Sequence, residues 1–184
     1  MTLAYLVQHG EKEPSPGDPG LTRLGRHQAI GTGRWLRGRG VRALYSSPLR
    51  RAWETAECIA SVTGLVVQPD ARLRERLNWD DNEPFGNFLA LWARTTQDRD
   101  FVPENGDSSR QAGARLQAFL ADLAGRPGPV AAVTHGGVTC DLLRDLLGDG
   151  PLTLHLLDAG IPACAVTGVE HINVVMIAST SHLV

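Results

Sequence analysis

The sequence predicts an α/β domain, a three-layer α/β/α sandwich around a mainly parallel central sheet. Short apolar runs alternate with helix-like segments along the chain, the pattern of strands joined by crossover helices. The runs LAYLV (3–7) and PVAAVT (129–134) are almost continuously apolar, as strands covered on both faces are. At 184 residues the chain is long enough for one domain with a sizeable core, so 1–184 reads as a single domain. No internal repeat, low-complexity tract or linker interrupts it.

The elements follow in order. Residues 3–7 read as a buried strand. A loop with Pro14, Pro16, Gly17, Asp18, Pro19 and Gly20 follows, too short for a linker and suited to the rim of a site. Thr22 caps a helix that ends near Gly38 or Gly40. Residues 41–46 form the second strand. Ser47-Pro48 opens a helix through about Val62, with Pro48 in its first turn. The third strand is 65–68, and 70–84 is polar and irregular. Helices span 85–95 and 108–124. GRPG turns into the strand 129–134, and HGG leads into a helix over about 137–147. Two further strands, 163–169 and 172–178, close the chain.

Composition narrows the function classes. The hydrophobic fraction is 42% and the net charge −2, so nothing draws the chain to nucleic acid or to an anionic membrane. Three separated cysteines (Cys58, Cys140, Cys164) make neither a zinc pair nor a disulfide framework, which suits a reducing cytoplasm. Neither a signal peptide nor an apolar run of spanning length is visible, and a cytoplasmic location is expected. The six histidines show no HxH or HExxH spacing, so no metal and no cofactor is expected. A homodimer is one option for the oligomeric state, which the sequence leaves open.

Two places share one design. "LVQHG" and "AVTHGG" each end an apolar strand with a polar residue, a histidine and glycine. Ligands of open α/β sheets bind at the carboxyl ends of the strands, so His9 and His135 are expected at one edge. A lone strand-end histidine reads as a core residue bonded to a carbonyl; a matched pair points to a site. A third strand end, "YSSPLRRA", brings Arg50 and Arg51 to a helix start that favours an anion. Arg50 reads as a solvated surface residue. Arg51 has the forked donors that suit phosphate. Two histidines and an arginine at such a crevice suit phosphoryl transfer. Imidazole attacks phosphorus and carries the group, cations stabilise the transition state, and a carboxylic acid protonates the leaving oxygen.

The motifs resemble those of the histidine phosphatase superfamily, the phosphoglycerate mutase-like fold, almost end to end. "VQHGEK" resembles its Arg-His-Gly-Glu motif, "LTRLGRHQA" its Leu-Thr-x-x-Gly-x-x-Gln-Ala, and "SSPLRRAWETA" its Ser-x-Leu-x-Arg-Ala-x-x-Thr-Ala. "LRE" (73–75) resembles the segment that holds the acid, and "ENGDSS" a Gly-Glu-Ser loop with Asp107 for glutamate. "THGG" resembles the second histidine motif and "TSHL" the usual close. The resemblance implies a metal-independent phosphomonoester phosphatase acting through phosphohistidine on a small phosphorylated molecule. His9 matches the nucleophile, Glu75 the proton donor, and Arg51 and His135 the phosphate pocket. Ser47, at the helix start, and Gly136 are expected as further phosphate contacts. Asp80, Asp81 and Glu83 compete with Glu75 for the acid's role.

Gln8 departs from the pattern, which has arginine there. The amide donates without charge, so it is expected to weaken or retune the phosphate pocket, leaving Arg51, a protonated His135 and a helix N-terminus. Lys12, the only lysine, is one candidate for the missing charge, with Arg23 and the arginines at 72–76 as others. Two alternatives stand beside the phosphatase: a noncatalytic phospho-ligand binding protein of the same fold, and a phosphomutase, which the short chain disfavours. Specificity is expected from a rim of the 12–20 loop, the 76–100 segment and a 155–162 loop. Trp79, Phe85, Phe88 and Trp92 read as core in the first instance and as an apolar wall in the second.

Overall fold

The structure, a computed structural model, describes residues 2–183. Its strands are β1 (Leu3–Gln8), β2 (Ala43–Ser46), β3 (Val67–Pro69), β4 (Val130–Thr134), β5 (Val166–Glu170) and β6 (Asn173–Ser179). They form one sheet in the order β3-β2-β4-β1-β5-β6. The first four run parallel, while β5 lies antiparallel on β1 and β6 antiparallel on β5, so the sheet is mixed and mainly parallel.

Helices cover both faces, because successive side chains of a strand point in opposite directions. Tyr5 and Val7 of β1 pack with Leu36 of α1 (Arg23–Gly38) and with Ala52, Ala56 and Ile59 of α2 (Arg50–Thr63). Ala4 and Leu6 face the other way, towards a helix pair that follows α3 (Phe85–Gln97): α4 (Ser109–Asp122) and α5 (Gly136–Leu147). Leu116 and Phe119 of α4 and Val138 and Leu142 of α5 complete that layer. The central β4 is buried along its whole length, as its unbroken apolar run requires. Thr22 caps α1 as expected, its hydroxyl accepting from the Gly25 N–H at 3.0 Å. Ser108 and Gln111 make a reciprocal cap at α4.

Some boundaries differ from expectation. Pro48 lies outside α2, which starts at Arg50 because Leu49 keeps an extended backbone. A further helix, α6 (Pro151–Ala159), stands where no element was expected. The stretch LTLHL alternates with a period of two, which hides its helical character from periodicity. The expected 155–162 rim loop is therefore mostly helix. Among the described residues no helix is long and apolar enough to cross a membrane.

Candidate active site

Sheet register brings the two histidines together. Gln8 pairs with Thr134 and Ser46 with Val133, so His9, His135 and Ser47 follow three adjacent strand ends. The His9 N–H donates to the Thr134 carbonyl at 3.1 Å, and the Ser47 N–H to the Val133 carbonyl at 2.9 Å. The two imidazole rings lie 5.3 Å apart between centroids. After His9 the chain turns hard against α1. A Cβ on Gly10 would sit 2.6 Å from the Gly25 carbonyl oxygen, so only glycine fits there.

His9 is held in one tautomer. Its Nδ1 lies 2.8 Å from the Gly10 carbonyl, which only accepts, so Nδ1 carries the proton and Nε2 the lone pair. The Gln8 amide nitrogen donates to Nε2 at 3.2 Å. Burial, then the Arg51 charge, pushes the His9 pKa down to about 3, so the ring is neutral. His135 is fully buried, with Nε2 2.8 Å from Ser47 Oγ and Nδ1 without a partner. Burial and the Arg51 charge hold its pKa well below the ordinary histidine value. The expectation of a protonated His135 is thereby corrected: the ring is neutral.

Arg51 is buried at the start of α2. Its Nη2 donates to Asn78 Oδ1 at 3.0 Å, Nη1 lies 3.7 Å from Asp18, and Nε has no partner. Asp18 also accepts the Arg50 N–H at 2.9 Å. The helix start expected to receive an outside anion is therefore held by a carboxylate of the chain itself. Arg50 pairs with Glu54 at 2.8 Å and is exposed, as expected.

Glu75 lies at the N-terminus of α5. Its Oε2 accepts from the Gly137 N–H at 2.9 Å, and Oε1 from Val138 at 2.9 Å and Arg76 at 2.8 Å. These donors and the positive helix end fix the carboxylate in place. Gly136 opens the same helix, against the Gln8 side chain.

His9, Arg51, Glu75 and Lys12 line one cavity of about 510 Å³. Asp80, Asp81 and Glu83 do not line it, which favours Glu75 among the competing carboxylates. Gln8, Ser47, Gly136 and His135 stand behind it, around His9. Of the cations considered for the missing charge, Lys12 alone lines the cavity; Arg72 pairs with Asp70 and Asp122, Arg74 with Asp107, and Arg76 with Asp141.

The expected rim is present over 12–20 and 76–100, supplying Pro14, Ser15, Gly17, Leu77 and Asn78. Trp79, Phe85, Phe88 and Trp92 also line the cavity, and none of them is buried. The core reading of these aromatic residues is corrected: they form a wall. Beyond Gln8 lies a second cavity of about 220 Å³, lined by Leu156, Leu157 and Ile161 and sharing Glu75 and Trp92. The sequence places Asp18 and Asn78 in the expected rim segments but gives neither a role toward Arg51. No motif marked either, since their roles depend on contacts with Arg51 across 33 and 27 residues of sequence.

Known proteins resemble the chain in sequence and fold. Glucosyl-3-phosphoglycerate phosphatase of Mycobacterium tuberculosis is 33% identical over 168 residues, 77% of this chain and 74% of that one. Probable phosphoglycerate mutase GpmB of Yersinia pestis is 32% identical over 165 residues, 80% of this chain and 76% of that one. The structure of the mycobacterial glucosyl-3-phosphoglycerate phosphatase with inorganic phosphate superposes at a TM-score of 0.78, 28% identical and covering 98% of each chain. The family model of the histidine phosphatase superfamily (branch 1) matches residues 4–174, from the first strand through both strand-end histidines to the last, and the chain belongs to that superfamily.

Proposed function

We propose that the protein is a metal-independent phosphomonoester phosphatase working through phosphohistidine on His9. The observation that carries the reading is the neutral His9 held with its Nε2 lone pair in a cavity that also holds Arg51 and Glu75. Arg51 gathers the phosphate oxygens, offering its free Nε and the Nη groups now on Asn78 and Asp18. Nε2 of His9 then attacks phosphorus and the ester P–O bond breaks. Glu75, protonated for this step, gives its proton to the departing alcohol oxygen. Water enters, Glu75 takes back one of its protons, the P–N bond breaks, and inorganic phosphate leaves. His135 and Ser47 support the ring of His9 from behind, and Gln8 supplies a neutral donor beside Nε2.

The test is phosphate release from a panel of phosphomonoesters with chelator present, for wild type and His9→Ala. Wild-type turnover that falls about 10³-fold or more in the variant supports the reading. Binding of phosphate without turnover by a folded wild-type protein would replace it with a phospho-ligand binding function, and loss of activity to chelator would replace it with metal chemistry.

A further inference from the structure

The aromatic wall has no core to serve. Helix α3 contributes no residue to any of the three hydrophobic clusters, and its single buried residue is Thr95. The rings of Trp79 and of α3 instead form a continuous ladder. Ring centroids lie 4.7 Å apart between Trp79 and Phe85, 6.1 Å between Phe85 and Phe88, and 5.8 Å between Phe88 and Trp92. The Trp79 indole N–H donates to the Glu83 carbonyl at 2.7 Å, so that ring presents an apolar face with its one polar group already satisfied. At its inner end the ladder meets Glu75: a Cβ on Gly137 would lie 2.5 Å from both Glu75 Oε1 and Trp92 Cη2. At its outer end Phe85 is 51% exposed.

Charge points the same way. Among the described residues, the cations lining the cavity are Lys12 and Arg51, next to His9, where a phosphate needs them. Nearby guanidinium groups are committed elsewhere: Arg76 to the buried Asp141, and Arg94 over the Phe101 ring at 3.7 Å. Among the described residues that line the cavity, no further cation is offered to a carboxylate on the leaving group.

We infer that the substrate is a phosphomonoester of an apolar, preferably aromatic, alcohol rather than of a hydroxy acid or amino acid. The inference rests on the phosphatase reading of the same site. The phosphate sits at His9 and Arg51, the ester oxygen at Glu75, and the apolar group along Trp92 and Phe88 towards Phe85. Burying a ring against such a wall adds both area and face or edge contacts.

The experiment compares kcat/KM for 2-phenylethyl phosphate, phosphoserine and 3-phosphoglycerate, all esters of primary alcohols. Phenylethyl phosphate is expected to be at least about tenfold better than either acid. In Phe88→Ala the ratio of phenylethyl phosphate to phosphoserine falls about tenfold, chiefly through KM; Phe85→Ala, an exposed position, gives a smaller fall in the same direction. Preference for either acid, or an unchanged ratio in both folded variants, overturns the inference. If none of the three is turned over, the phosphatase reading fails separately, and the same comparison is made as Kd by calorimetry. Tighter binding of phenylethyl phosphate then upholds the apolar pocket, and equal or weaker binding overturns it.

Discussion

The side-chain amide nitrogen of Gln8 lies 3.2 Å from Nε2 of His9, on the lone pair that the proposed mechanism uses. Adjacent residues of a strand normally diverge, but His9 lies just beyond the end of β1, where the chain turns. The other amide atom, Oε1, is buried without a partner. Gln8→Arg replaces a neutral donor by a charged, forked one, and the 220 Å³ cavity behind it gives the longer side chain room. Charge-assisted contacts are about twice as strong as neutral ones, so kcat/KM is expected to rise about tenfold. A folded variant with unchanged or lower activity would show that Gln8 suits this site as it stands.

The pH dependence has a definite sign. With the His9 pKa at about 3, the ring does not titrate in the fold near its ordinary value of 6.5. Between those values the unfolded chain binds a proton that the folded chain does not, so stability falls as pH drops through 6.5. His135 acts in the same direction. Asp141, pushed up to about 6 by burial, gives the opposite slope between about 4 and 6. Thermal unfolding from pH 7.5 to 5 is therefore expected to show a loss of stability that becomes shallower in His9→Asn, by up to about 1 kcal/mol per pH unit. An identical slope in the two proteins would contradict a neutral His9, as would a shift of its imidazole nitrogen resonances over that range.

Arg76 and Asp141 form an ion pair at 2.7 Å with both side chains fully buried. Arg76 also donates to Thr96 of α3 at 2.6 Å and lies 4.2 Å from the Trp92 ring centre. It therefore ties the Glu75 segment to α5 and to the aromatic wall. Asp141→Ala leaves a buried guanidinium unpaired and is expected to cost roughly 3 kcal/mol. That corresponds to a drop in Tm of roughly 6–12 °C, read by calorimetry. A loss below about 1 kcal/mol would mean that the guanidinium finds water or another partner in the variant.

Gly137→Ala is expected to act on Glu75. The added Cβ would lie 2.5 Å from Glu75 Oε1 and Trp92 Cη2, and the carboxylate or the indole must move. We expect kcat to fall about tenfold and stability by about 1–3 kcal/mol. Normal kcat in a folded variant whose crystal structure shows the Glu75 carboxylate displaced would argue against Glu75 as the acid.

Lys12→Gln tests the remaining charge. Burial and the nearby Arg51 charge lower the Lys12 pKa, yet among the described residues its Nζ bonds only the Glu13 carbonyl, at 3.3 Å. If it helps hold phosphate, KM rises about tenfold with little change in stability. An unchanged KM would assign Lys12 to the rim alone.

Much of this was legible because it is local. LAYLV and PVAAVT are strands by their own composition, and Thr22 caps α1 through a hydroxyl three residues from its donor. His9 and His135 were placed at one edge because parallel strands all end on the same side. The failures are equally physical. Alternation in LTLHL concealed α6, since a period of two says nothing about a short helix packed on one side. The aromatic residues of 79–92 read as core from sequence because hydrophobicity alone does not distinguish a buried face from the wall of a cavity.

The sequence by itself determined the strands, most helices and the residues offered at the strand ends, since these depend on neighbours within a few positions. Only the tertiary structure decided which group meets which. It put Asp18 on the start of α2, Asn78 on Arg51, Glu75 on the start of α5, and four rings in the cavity that His9 and Arg51 line. Burial decided that both histidines are neutral. Those outcomes depend on packing between segments tens of residues apart, where a side chain's charge and partners are set by what surrounds it rather than by its place in the chain.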